Sequence, residues 1–172
     1  ADIYASLGRV YTSAGDYVKA LALLNKALII SKSTRNQDQE ASLLNSIGVL
    51  YMEQEDYAQA RVKFEESLCL YYQRKNQREE SRVLLNLGVI EQRQENNDEA
   101  IVRFKRSLEA AKASQNADVQ LAAGRNSRRR LAYLEMNDVT PFRLKTRRVA
   151  HHVHDDEGRD KSALCRLESH AP

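Results

Sequence analysis

Apolar residues recur at helical spacing from the start of the chain. Tyr4, Leu7, Gly8 and Tyr11 lie at i, i+3, i+4 and i+7, the stripe of a helix with one buried face. A polar break, Ser13-Ala14-Gly15-Asp16, ends this helix, and Asp16 suits the N-cap of the next. A second stripe follows in Tyr17, Ala20, Leu21, Leu24, Ala27 and Leu28, and the polar run Thr34 to Asp38 closes the unit. The pattern predicts a helix-turn-helix hairpin with one apolar face on each helix.

The hairpin repeats. Gly8, Gly48 and Gly88 are spaced by 40, as are Leu7, Ile47 and Leu87, and Ala20, Ala60 and Ala100. Leu24, Phe64 and Phe104 keep the same step, and so do Leu28, Leu68 and Leu108. Asp16-Tyr17 returns as Asp56-Tyr57, whereas the third copy has Asn96-Asn97-Asp98 there. Gly8, Ala20 and their equivalents are small where two helix axes must approach closely. A single hairpin of this kind cannot bury its apolar surface alone, so successive copies are expected to stack.

At these residues the chain resembles the tetratricopeptide repeat family, whose signature runs large-x2-Leu-Gly-x2-Tyr and then Ala-x3-Phe. The first copy offers Tyr4-x2-Leu7-Gly8-x2-Tyr11 and Ala20-x3-Leu24; the second offers Leu44-x2-Ile47-Gly48-x2-Tyr51 and Ala60-x3-Phe64. The third has Leu84-x2-Leu87-Gly88-x2-Glu91 and Ala100-x3-Phe104, with Glu91 in place of Tyr. The period of 40 is similar to that of kinesin light chain and LGN/Pins arrays, and it lengthens the helices beyond the common 34-residue form. The resemblance implies an all-α, right-handed superhelical solenoid of stacked hairpins over residues 1–40, 41–80 and 81–120. A degenerate fourth copy is expected over 121–157, because Arg128 stands where Gly belongs, Thr140 replaces Ala and Pro141 enters the second helix. Residues 158–172 then form a short capping helix or a frayed tail.

The resemblance also implies a job. First helices of such arrays line a concave groove that grips a segment of another protein. The groove stripe here is Arg9, then Asn45, Val49 and Met52, then Arg82, Leu85, Val89 and Gln92, and finally Arg125 and Arg129. An apolar floor of Val49, Met52, Leu85 and Val89 flanked by arginines suits a peptide with hydrophobic anchors and carboxylates, since guanidinium forks hold carboxylates through paired hydrogen bonds. Asn45 and Gln92 are suited to peptide backbone. The expectation is a scaffold, adaptor or sensor module with a protein or peptide partner.

Charge adds one rival. The chain of 172 residues carries 27 basic and 24 acidic side chains. The excess lies late: eight basic residues fall between Arg125 and Arg148 against Glu135 and Asp138. Such a face could suit nucleic acid, although only Tyr133 and Phe142 supply aromatic rings for stacking. A third alternative is self-association into a homo-oligomer through the exposed face of a terminal hairpin.

Other chemistry is thin. His151, His154 and Asp155 share a helical face and are weak metal candidates, more simply read as helix-end polar groups. No His precedes residue 151 and no glycine-rich loop occurs, so neither a nucleophile–base pair nor a phosphate cradle is legible, and no enzyme or cofactor is expected. Cys69 and Cys165 make neither a metal cage nor a disulfide scaffold. With 6 Gly and 2 Pro, an all-β fold lacks its turns. No apolar run has the length of a membrane span, and the first residues do not read as a signal peptide. A cytoplasmic protein is therefore expected. The absence of an initial Met suggests a processed chain or a piece of a longer one.

Overall fold

The computed structural model describes residues 1–137, with side chains as far as Arg129. The second helix expected from Pro141, the capping segment over 158–172 and the His151/His154/Asp155 cluster lie outside the described residues. Seven helices follow one another in the described part: α1 (Asp2–Ser13), α2 (Tyr17–Ser33), α3 (Gln37–Glu53), α4 (Tyr57–Gln73), α5 (Gln77–Arg93), α6 (Asn97–Ala113) and α7 (Ala117–Asn137). No strand occurs among these residues, and each helix from α1 to α5 packs on the next. The result is the all-α repeat solenoid that the periodicity predicts, with Ala1–Arg130 as its compact unit.

The connections repeat at half the period of the hairpins. Every turn has one residue in the left-handed region: Gly15, Arg35, Glu55, Lys75, Glu95 and Gln115, at φ 53–80°. Each is followed by Asp or Asn, at 16, 36, 56, 76, 96 and 116. In the turn after α2, the amide of Asn36 donates to the Ser31 carbonyl and that of Arg35 to the Lys32 carbonyl. This pair of bonds satisfies the last carbonyls of the helix. The next side chain opens the following helix: Asp16, Asn36, Asp56 and Asn76 accept from the amides of Lys19, Gln39, Gln59 and Glu79. A C-terminal lock and an N-terminal cap thus fit into three residues, which holds neighbouring helices antiparallel.

Only Gly15 among the six left-handed residues lacks a Cβ. A side chain in that region costs about 1–2 kcal/mol, partly offset by the entropy that glycine adds to the unfolded chain. Lys75→Gly is therefore expected to stabilise the chain by about 0.5–1 kcal/mol. A higher urea midpoint at unchanged slope is the readout.

Close approach within hairpins explains the glycines. A Cβ on Gly8 would lie 2.8 Å from Leu24 Cγ, and one on Gly48 would lie 2.7 Å from the Phe64 ring. On Gly88 the gap to the Phe104 ring is 2.5 Å. The residue pairs Gly8–Leu24, Gly48–Phe64 and Gly88–Phe104 are thus one packing joint repeated three times. Two hairpins add the same polar tie. Ser67 Oγ donates to the Ala41 carbonyl at 2.8 Å, and Ser107 Oγ to the Ser81 carbonyl at 2.7 Å.

Cores form where one hairpin meets the next. Leu24 and Ala27 of α2 bury with Leu43, Ile47 and Leu50 of α3. Ala60, Phe64 and Tyr71 of α4 bury with Val83, Leu87 and Ile90 of α5. α3 and α5 are therefore two-faced, each pressed against its own hairpin partner on one side and against the preceding hairpin on the other.

Candidate functional site: the row of first helices

The helices are not stacked evenly. α1 approaches α3, and α3 approaches α5, while among the described residues no comparable approach joins α2 to α4 or α4 to α6. The odd helices thus approach one another along the array as the even helices do not. Two hydrogen bonds run along this row. Gln39 Nε2 on α3 donates to Asp2 Oδ1 on α1 at 2.6 Å, and Asn86 Nδ2 on α5 donates to Asn45 Oδ1 on α3 at 3.2 Å. Asn116, in the turn before α7, donates to the Arg78 carbonyl of α5 at 3.5 Å.

The expected groove residues divide by burial. Arg9 on α1, Arg82 on α5, and Arg125 and Arg129 on α7 are exposed. Arg9 reaches Ser6 Oγ at 3.4 Å, and Arg82 lies 3.8 Å from the Glu79 carboxylate one turn back. Asn45, Val49 and Met52 on α3, and Leu85, Val89 and Gln92 on α5, are half-buried. Val49 and Met52 pack against the core between the second and third hairpins. Part of their apolar surface thus serves the stack itself, and the remainder faces outward.

Three polar neighbours of this stripe lie outside the expected groove set. Asn86 occupies the register of Ser46, one position past the expected stripe, and Glu79 sits a turn before Arg82. Glu91 is the third. It is buried at the place where the first two copies carry Tyr11 and Tyr51, and it pairs with Arg61 of α4. Asn96 Nδ2 donates to its other oxygen at 3.0 Å, and Arg61 also reaches Gln94 Oε1 at 2.8 Å. Burial pushes the Glu91 carboxyl up, but the hydrogen bonds from Arg61 and Asn96 and the Arg61 charge outweigh it and hold the group below its ordinary value. Asn96 is so engaged that, alone among the caps of α2 to α6, its side chain does not cap its helix.

Elsewhere the titratable groups read as structural. Tyr71 is buried, and desolvation pushes its hydroxyl up to about 12; its neighbour Tyr72 is exposed. Glu80 is pushed up by burial, opposed by the Arg106 charge. Among the described residues, no His/Cys/Asp/Glu group is arranged to hold a metal, and no helix is long and apolar enough to cross a membrane. Of the basic segment, Arg125, Arg128 and Arg129 are exposed on α7, and the residues after Asn137 lie outside the described part.

Known proteins bear on this geometry in two ways. BtubC (BKLC) from P. vanneervenii has a similar fold, with a TM-score of 0.57 over 83% of this chain and 67% of its own length, at 19% identity. No curated protein matches the sequence. The tetratricopeptide repeat family matches residues 1–73 and again 39–113, two overlapping stretches that span α1 to α6. Its repeats suggest a protein–protein interaction scaffold. Packing joints, period and family match agree, and this chain belongs to the tetratricopeptide repeat family.

Proposed function

We propose that the chain is an interaction module whose odd-helix row receives a peptide segment bearing hydrophobic and acidic residues. The observation that carries this reading is the crowded row itself. In support, Arg9, Arg82, Arg125 and Arg129 are exposed on odd-numbered helices, and Val49, Met52, Leu85 and Val89 are half-buried on α3 and α5. Four cations around outward-facing apolar surface match a peptide that offers carboxylates and one or two anchors. Asn45 and Gln92 are half-buried on the same row, where a peptide backbone would pass. The same reading divides the chain into hairpin units over 1–40, 41–80 and 81–120, a degenerate fourth over 121–157 and a closing segment over 158–172. Its setting is a cytoplasmic scaffold or adaptor, without catalysis.

The test exchanges charge on the row without touching the core. Arg82→Glu combined with Arg125→Glu is expected to weaken capture of an acidic partner segment at least tenfold. Both side chains are exposed, so stability should move by no more than about 0.5 kcal/mol. Capture from native lysate by the intact and doubly substituted chains, compared by mass spectrometry, identifies the segment, and titration of that peptide measures the loss. Undiminished binding, or collapse of the fold, sinks the assignment.

A second reading has its own observation: Arg125, Arg128 and Arg129 are exposed on α7, and in the sequence they begin the basic stretch that runs on to Arg148. A nucleic-acid partner on that surface would lose affinity steeply and linearly in log salt. A peptide seated on apolar side chains loses less, so a salt titration separates the two.

A further inference from the structure

The outer face of α1 is apolar and open, and the repeat itself indicates what covers such a face. Ile3, Tyr4, Leu7 and Val10 are 82%, 40%, 42% and 62% exposed. In α3 the same register holds Leu43, Leu44, Ile47 and Leu50, and in α5 Val83, Leu84, Leu87 and Ile90, all at most 3% exposed. Those two faces are buried against the second helix of the preceding hairpin: against Leu24 and Ala27 of α2, with Leu21 and Leu28 alongside, and against Phe64 and Tyr71 of α4, with Leu68 alongside.

α1 has the other half of this design in place. Its opposite side is already engaged, with Ala5 and Gly8 buried and Gly8 pressed on Leu24. At 100° per residue, Ile3, Leu7 and Val10 fall on one face, and the two charges of the helix, Asp2 and Arg9, lie to one side of it. Exposed Val and Leu residues scattered singly need no explanation, but Ile3, Leu7 and Val10 at successive turns of one face, with Tyr4 at its edge, form a patch. Along the array this patch continues the series of α2–α3 and α4–α5 interfaces by one more 40-residue step.

We infer that the open face of α1 is a docking surface for the second helix of a further hairpin of this repeat class, seated on α1 as α2 is seated on α3. The occupant presents leucine or aromatic side chains at the registers of Leu21 and Leu28, and it leaves the odd-row groove untouched.

The test supplies that occupant. Residues 1–40 are duplicated ahead of Ala1 in the full chain, so that the added copy of α2 and its turn lead into α1 in the register by which α2 leads into α3. Amide exchange across Ile3 to Val10 is expected to slow at least tenfold relative to the 172-residue chain. The urea midpoint should rise. Carrying Leu21→Asp and Leu28→Asp in the added copy alone should abolish both effects. Unchanged exchange in the lengthened chain, or equal protection by the doubly substituted copy, overturns the inference. So does sedimentation of the unlengthened chain as a dimer that Val10→Glu separates, because a second copy would then own the face.

Discussion

Replacing Arg61 by leucine is expected to destabilise the chain by roughly 3 kcal/mol, because it leaves the Glu91 carboxylate buried without its cation. Glu91 is 2% exposed and bonded to Arg61 and Asn96. Removing one partner of such a pair typically costs about 3–5 kcal/mol. The lower end applies, since the Arg61 side chain reaches the surface and water can follow into its place. The companion experiment restores the chemistry of the neighbouring interface. In the register of Arg61 and Glu91, the first two hairpins have Leu21 and Tyr51, which pack together on one core. Arg61→Leu with Glu91→Tyr is therefore expected to regain stability to within about 1 kcal/mol of the native chain, or to exceed it. The polar arrangement is not fully satisfied in any case: Asn97 Oδ1 and Arg103 Nε are buried with no hydrogen-bond partner. Urea denaturation of the four proteins of the cycle decides the matter, and a double variant as weak as Arg61→Leu would mean that the two interfaces are not equivalent.

Acid should reveal the same pair. The native Glu91 carboxyl is held below the ordinary value of a glutamate. The unfolded chain therefore takes up the proton first as pH falls, and the native state is penalised. This contribution is complete above that ordinary value and is lost as pH drops below it, toward the folded pKa. The native chain should lose more stability between neutral and acidic pH than the Arg61→Leu/Glu91→Tyr variant. Parallel pH profiles would show that Glu91 is not a stabilising anion.

The repeat was legible in the sequence because a solenoid writes its fold locally. Each joint between Gly and Phe or Leu lies within one hairpin, sixteen residues apart, so a 40-residue comparison finds it three times. The Asp/Asn series from 16 to 116 was equally available, but comparing whole hairpins hides a step that recurs at both ends of each helix. The departure at Glu91 could be seen, and its partner could not. Arg61 lies thirty residues away in the preceding hairpin, and in a linear reading an Arg in place of Leu21 looks like solvated surface. The groove was legible only as a stripe. α3 meets α1, α2, α4 and α5, and helical spacing alone does not say which neighbour shares the surface of Val49 and Met52. The exposed arginines carry no such ambiguity, which is why they make the sharper test of function.

The second large effect lies at the joint of the second hairpin. Phe64→Ala is expected to cost about 3–5 kcal/mol, the range for deleting a fully buried aromatic ring; Phe64 is 0% exposed and seats against Gly48. Gly48→Leu creates the opposite fault. Its first added carbon would lie 2.7 Å from two ring atoms, and a closed ring cannot swing aside as the end of a flexible chain can. Overpacking of this kind typically costs about 1–3 kcal/mol. The two faults have complementary shapes, a hole and a side chain with nowhere to go. If the glycine is small because the ring occupies its space, the leucine can enter the volume that Phe64→Ala vacates. The double variant should then be more stable than the sum of the single losses predicts by at least about 1 kcal/mol, since residues in contact couple by amounts of that order. Strict additivity would instead mean that Gly48 is needed for its backbone, not for the room it leaves. In that case the resemblance among the three joints would be a matter of spacing and not of packing.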